Sequence, residues 1–192
     1  MDYLIFKTKL VKKFLKIRCK FIRKRFSKIG SEFIIESPEG LMGEKHMIIG
    51  DNFYAAHDVQ IEAWETHNGN FYKPCIEIGD NVNINAYTHI GCINKIYIGN
   101  NVLIGSKVCI VDHNHGYGSK KKDGTIPPNQ RKLYSKGPII IEDNVWIGEN
   151  VIILSGVKIG QGSIIGAGSV VTHDIEPDSI AVGNPAIVRR KR

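Results

Sequence analysis

The sequence predicts an all-β fold: a parallel solenoid of about five coils, preceded by one amphipathic helix and interrupted by one long loop. Three observations predict it. An apolar residue returns at every sixth position, at Ile78, Ile84, Ile90, then Ile98, Ile104, Ile110, and later Ile141, Ile147, Ile153, Ile159, Ile165 and Val171, with an earlier run at Ile49, Ala55 and Ile61. Valine follows many of these stations four residues on, at Val82, Val102, Val108, Val145, Val151 and Val157. Glycine and asparagine fill the intervals, as in Ile78, Gly79, Asp80, Asn81 and in Ile98, Gly99, Asn100, Asn101. A period of six scatters side chains around a helix but keeps them on one side of a strand, so each unit is a short strand and a turn. Repetition at a fixed period marks a solenoid whose interior is filled by stacked apolar columns.

Taken in chain order, residues 4–26 read as the one helix. Leu10, Phe14, Ile17 and Phe21 recur at helical spacing, joined by Val11, Leu15 and Ile22, with Lys12, Lys13, Lys16, Lys20 and Arg23 opposite and Gly30 as a stop. Such a helix suits peripheral contact with an anionic membrane face through residues 4–26, and equally suits a cap over the open strand edges of the first coil. The stations then fall into triples at 49–61, 78–90, 98–110, 141–153 and 159–171, three strands to a coil. The triples are separated by eleven extra residues after Ile61, two after Ile90, twenty-five after Ile110 and none after Ile153. The organisation expected is a basic helix at 1–30, a β-helix domain at 31–188 with a loop at 112–137, and a basic tail at 189–192.

Composition narrows the partners. Net charge is +7, yet residues 1–30 hold eleven Lys or Arg against one acid, which leaves the rest of the chain at −3. A body without basic excess argues against a nucleic-acid groove. Cys19, Cys75, Cys92 and Cys109 lack metal-type spacing and read as reduced and mostly buried. There is neither a long apolar span nor a secretory leader, so the expected location is the cytoplasm, with peripheral contact at the inner face of its membrane.

The segments Ile141 to Gly148, Gly156 to Gly160, Ile165 to Thr172 and Gly183 to Ala186 resemble the hexapeptide-repeat acyltransferases, over roughly residues 47–190. The likeness is greatest to sugar O-acetyltransferases of the maltose and galactoside kind and to their relatives in bacterial polysaccharide synthesis. Parallel crossovers are ordinarily right-handed. The resemblance alone implies the opposite hand, a left-handed parallel β-helix. It also implies a homotrimer, acetyl-CoA lying along a groove between neighbouring β-helices, a saccharide acceptor and no metal.

The long loop falls where the family carries its catalytic histidine, and irregular loops of this length are seldom kept without a task. The resemblance places that histidine at His115, with His113 as the rival. A neutral imidazole can take the proton of an attacking hydroxyl and return it to the leaving thiolate. In an extended run His113 and His115 share one face, and Asp112 either orients a ring or caps the turn. By resemblance Asn85, with Asn83 beside it, helps to hold the acceptor, and Asp112 and Tyr117 of the long loop are further candidates to contact it. Ala167 and Gly168 leave room for the pantetheine arm, Trp146 lines the groove, Thr172 lies near the nucleotide, and Arg190 meets a CoA phosphate. Where some relatives carry another arginine this chain has Ile187, so either Arg189 compensates or the grip on CoA is weaker. With no obvious nucleophile motif beside the histidines, transfer is expected to be direct.

Other readings stay open at this point. They are N-acetylation of an amino sugar and a non-catalytic trimeric scaffold tethered to membrane. A zinc hydrolase on the same solenoid needs two ligands five apart in the loop region, and His113 and His115 are two apart.

Overall fold

The computed structural model describes residues 3–116 and 123–191. Three parallel sheets wrap one core into a three-sided prism. Face one is built from Lys28–Ile29, Met47–Ile49, Cys75–Ile78, Lys95–Ile98, Ile139–Ile141 and Lys158–Ile159. Face two takes Ile34–Ser37, Tyr54–His57, Asn83–Ile84, Leu103–Ile104, Trp146–Ile147, Ile164–Ile165 and Ser179–Val182. Face three takes Gly40–Met42, Gln60–Ala63, His89–Cys92, Cys109–Val111, Ile152–Ile153 and Val170–Val171.

The six-residue stations stack directly on one another. Ile84 pairs Ile104, which pairs Ile147, which pairs Ile165. On face three Ile61, Ile90, Ile110, Ile153 and Val171 follow in the same way. All of these are buried, and with the valines they form one continuous core. The five predicted triples are present, and a further coil precedes them. Ile29, Ile35 and Leu41 continue the spacing backwards, so the first strand opens at Lys28, inside the segment assigned to the helix. Ile175 and Ser179–Val182 begin a partial coil at the other end.

The edge between faces one and two is a ladder. Asp80 Oδ1 accepts the Asp51 N–H at 2.7 Å, Asn100 Oδ1 that of Asp80 at 2.9 Å, and Asp143 Oδ1 that of Asn100 at 2.7 Å. Beside them the amides of Asn52, Asn81, Asn101 and Asn144 bond in series at 3.0, 3.0 and 3.2 Å. These asparagines sit at φ of 54°, 57°, 57° and 60°, a region asparagine tolerates better than most side chains. A Cβ on Gly79 would lie 2.6 Å from Asn100 Oδ1, so glycine is what lets coils approach here.

Both ends of the rod are covered. The helix runs Tyr3–Arg23 and caps the first coil, but with only one flank of the predicted apolar face. Cys19, Leu15 and Ile22 turn inward, while Phe14, Ile17 and Phe21 stay exposed at 67%, 48% and 70%. The reason is polar: Arg18 donates to the carbonyls of Ile35 and Glu36, and Arg23 to those of Ile29 and Gly30 at 3.3 and 2.6 Å. Those guanidinium bonds set the helix's rotation. At the carboxyl end the expected tail is instead a strand, Ile187–Lys191, folded back antiparallel on Ser179–Val182 through the turn at Gly183, Asn184 and Pro185. A short, charged, exposed final strand blunts an edge that would otherwise pair with another chain.

Candidate functional site

The loop after Cys109–Val111 leaves at the edge between faces three and one and returns at Ile139–Ile141. Its base is fixed by Asp112, whose side chain has no solvent exposure. The carboxylate accepts the backbone N–H groups of Ile93 and Asn94, each at 2.9 Å, and the Cys92 thiol at 3.3 Å. His113 Nδ1 lies 3.1 Å from Asp112 Oδ1. Asp112 thus does both things the sequence left open, closing the turn of the preceding coil and orienting a ring. An acceptor-only group selects the His113 tautomer that donates from Nδ1 and leaves Nε2 as the acceptor.

His113 is tucked in, its side chain 12% exposed, and its Cε1 would lie 3.4 Å from a Cβ on Gly91. His115 is exposed and belongs to the short hairpin of Asn114–His115 with Leu133–Tyr134. Tyr117 lies outside the described residues.

A second loop, not assigned a role from sequence, forms a wall beside the first. It is the eleven-residue excess after Ile61. The His67 ring stands edge-on to His115 with centroids 5.5 Å apart, and Trp64 stands edge-on to His67 at 6.3 Å. Trp64 Nε1 donates to Glu62 Oε2 at 3.1 Å, and His89 Nε2 lies 3.5 Å from the same oxygen. Tyr72 Oη accepts the Leu133 N–H at 2.9 Å, and Asn68 Nδ2 donates to the Asn129 carbonyl at 2.6 Å. A signal for this wall was present. Ile61 and Ile110 are both third stations of a coil, so both insertions must emerge at the same edge, two coils or roughly 10 Å apart.

The thiols argue against an acyl-enzyme. Burial, and secondly the Asp112 carboxylate, pushes the Cys92 thiol well above the ordinary range, and burial raises Cys109 also. A protonated buried thiol is a poor nucleophile. Among the described residues no three of His, Cys, Asp and Glu are grouped as metal ligands.

Face two carries a groove of about 450 Å³ lined by Asn85, Leu103, Trp146, Ala167 and the glycines Gly105, Gly148 and Gly166. The glycines permit tight stacking: a Cβ on Gly105 would lie 2.7 Å from Glu149 N, and one on Gly148 2.7 Å from Ala167 N. Trp146 is 51% exposed over this floor. Asn85 is held by its Nδ2 bond to the Ile104 carbonyl at 2.9 Å, and Asn83 stands exposed beside Leu103. A narrow apolar trough with bare backbone suits a thin extended chain such as a pantetheine thioester.

Gly168 follows Ala167 at the rim, with φ 72° and open space around it. Arg190 pairs Ile180 on the final strand of face two, next to Arg189, three strand spacings or about 14 Å from Trp146. Thr172 lies off this face. It bonds the His173 ring at 2.8 Å just after Val170–Val171, on the edge that carries the histidine loop.

Comparison with known proteins agrees with this architecture. Residues 138–173 match the family model described as bacterial transferase hexapeptide (six repeats). The chain is 36% identical over 161 residues to an Escherichia coli (strain K12) protein named as a lipopolysaccharide biosynthesis O-acetyl transferase, WbbJ, covering 82% of this chain and 78% of that one. It is 35% identical to the galactoside O-acetyltransferase of the same strain, over 82% of this chain and 70% of the other. Among solved structures, a hexapeptide-repeat acetyltransferase from Vibrio cholerae O1 biovar eltor complexed with acetyl coenzyme A superposes with TM-score 0.59 at 26% identity, over 92% of this chain and 76% of that one. The N-acyltransferase AntD from Bacillus cereus gives TM-score 0.72 at 21% identity, over 91% and 88%, a likeness of fold.

Proposed function

This chain belongs to the hexapeptide-repeat acetyltransferases, enzymes built on a left-handed parallel β-helix that draw their acyl group from acetyl-CoA, and on that premise we propose that it acetylates a saccharide hydroxyl by direct transfer. The observation that carries the reading is topological. The groove lies on face two, whereas the histidine loop leaves the opposite edge of the prism, between faces three and one, from the coil that gives Leu103 to the groove. One chain therefore presents a thioester trough and a base on its two sides. Three copies set side by side bring the loop of one to the groove of the next, which supports a homotrimer with shared sites.

Within the loop His115 is the base. It is the exposed ring, able to meet a hydroxyl held against a neighbour, while His113 is held against Asp112 and Gly91 and positions the turn. His115 removes the hydroxyl proton as the oxygen attacks the thioester carbonyl. A tetrahedral oxyanion forms, the carbon–sulfur bond breaks, and the imidazolium returns its proton to the departing thiolate.

Asn85 and the wall of Trp64 and His67 face the acceptor, and Trp146, Ala167 and Gly168 take the pantetheine, with Arg189 and Arg190 toward the phosphates. The compartment that fits four free cysteines is the cytoplasm. No helix among the described residues is long and apolar enough to cross a membrane; the membrane contact proposed for residues 4–26 is a peripheral one.

The test is release of free thiol from acetyl-CoA over a panel of saccharide acceptors. His115→Ala lowers turnover by roughly 10²–10⁴-fold while acetyl-CoA binding persists. Full turnover in that variant, or loss of it in His113→Ala alone, overturns the assignment.

A further inference from the structure

The helix Tyr3–Arg23 has a cap face and, separately, an apolar stripe that the cap does not use. At 100° per residue, Phe14, Ile17 and Phe21 fall within about 60° of one another, and their centre lies about 130° from that of Leu15, Cys19 and Ile22. The stripe thus faces away from the rod. Lys13 borders it, Lys20 lies further round at the rim of the crevice between helix and first coil, Lys24 follows the last helical turn, and all three are exposed. Lys16 is paired with Glu32 at 3.5 Å, and Arg18 and Arg23 are spent on backbone carbonyls. Among the described residues Lys13, Lys20 and Lys24 are in no ion pair, and they stand near three large exposed apolar side chains.

We propose that this stripe docks on an anionic lipid surface, Phe14, Ile17 and Phe21 entering the interface while Lys13, Lys20 and Lys24 meet the headgroup charge. Apolar insertion beside a cationic row is what an in-plane helix offers a bilayer. The charge favours lipid over a second copy of this helix, since residues 1–30 carry eleven basic groups and one acid and would repel themselves. The inference sharpens the peripheral contact proposed with the function, but does not depend on acetyl transfer. It also changes the obvious experiment. Deleting the helix would uncover Phe26, Phe33 and the carbonyls of the first coil, whereas substitutions in the stripe leave the cap intact.

The experiment is co-sedimentation of the full chain with phosphatidylcholine vesicles, with and without phosphatidylglycerol. Wild type binds the anionic vesicles and is released by high salt. F14S/I17S/F21S loses roughly tenfold or more of that affinity, and K13Q/K20Q/K24Q loses the preference for anionic lipid. Both variants keep the wild-type melting temperature and the transfer rate to a soluble acceptor, so loss of binding is not loss of fold or of catalysis. Three results overturn the proposal: no preference of wild type for anionic vesicles, undiminished binding by the serine variant, or a change in the serine variant's solution mass without vesicles, which would mean that the stripe is buried between copies.

Discussion

Two edges of the same prism obey different rules. Between faces one and two every coil turns in four residues, and from Asp51 to Asp143 the turns stack in one side-chain ladder. Between faces three and one the connections range from Ile93 and Asn94 alone to the stretch 112–138. Every large insertion, His115, Asp112 and the Trp64 wall lie along that second edge. A stacked ladder cannot admit an extra residue without losing register with both neighbours, whereas an edge without a ladder can throw loops outward. The proposed chemistry collects where stacking is relaxed.

The strongest way to break this contrast is to ask whether the two sides of the rod serve one site. His115→Ala removes the proposed base from the loop edge, and Ala167→Trp fills the groove on face two. Each variant alone is expected to be nearly inactive if the proposed trimer shares its sites. Co-assembled at equal amounts, the two variants recover about a quarter of wild-type activity, since a site drawing its loop and groove from different chains is intact in about one case in four. Mixed trimers with no recovered turnover would place base and groove in the same chain and sink the shared-site reading.

What the sequence made legible follows the same division. Ladder positions are read locally, so the stations from Ile49 to Val171 and their turns could be placed without a structure. Ile29, Ile35 and Leu41 keep the same spacing but lie just after a run of lysines and arginines that reads as helix, and the first coil was hidden there. The helix was found, yet not which flank of its apolar face is buried. Apolar residues occupy much of its circumference, and the choice was made by Arg18 and Arg23 bonding carbonyls of a coil that had not been recognised. In the site, the motif could point to His115 and His113. It could not show that Asp112 is gripped by Ile93 and Asn94 from the coil below, because those contacts span about twenty residues of sequence.

A substitution on the ladder edge tests stability without chemistry. Gly79→Ala places a Cβ 2.6 Å from Asn100 Oδ1 and 2.9 Å from the Gly99 carbonyl carbon, and backbone must move. The expected cost is about 2–4 kcal/mol in denaturant unfolding, with kcat/KM per folded molecule unchanged. A fall in kcat/KM as large as that of His115→Ala would show that the two edges are not independent.

Asp112 is a ladder-like contact on the loop edge, its carboxylate gripping the backbone of the coil below. In Asp112→Asn one oxygen becomes an NH₂ that must face a backbone N–H of Ile93 or Asn94, or the ring of His113. Setting donor against donor costs about 1–3 kcal/mol of stability. Activity should fall by less than in His115→Ala, because the exposed base keeps its hairpin. Thermal melting and turnover measured on one preparation separate the two effects, and equal loss of turnover in both variants would make Asp112 part of the proton path.

The smallest effect belongs to face one, which carries neither loop nor groove. There Lys95 Nζ donates to Glu77 Oε1 at 3.0 Å, and this bond, followed by that from the Cys75 thiol, holds the Glu77 carboxyl below its ordinary range. A depressed folded-state value stabilises the protein above the unfolded carboxylate's range, about pH 4.3, and that contribution is lost as pH falls through the folded value. Both side chains are partly exposed, so water and salt screen the pair and Lys95→Ala is worth under about 1 kcal/mol at pH 7. The gap between variant and wild type should therefore be small in urea melts at pH 7, shrink further as acid protonates Glu77, and leave kcat untouched throughout. A gap that widened in acid would reverse the sign of the coupling, and a fall in kcat would mean that face one is tied to the site by contacts other than stacking.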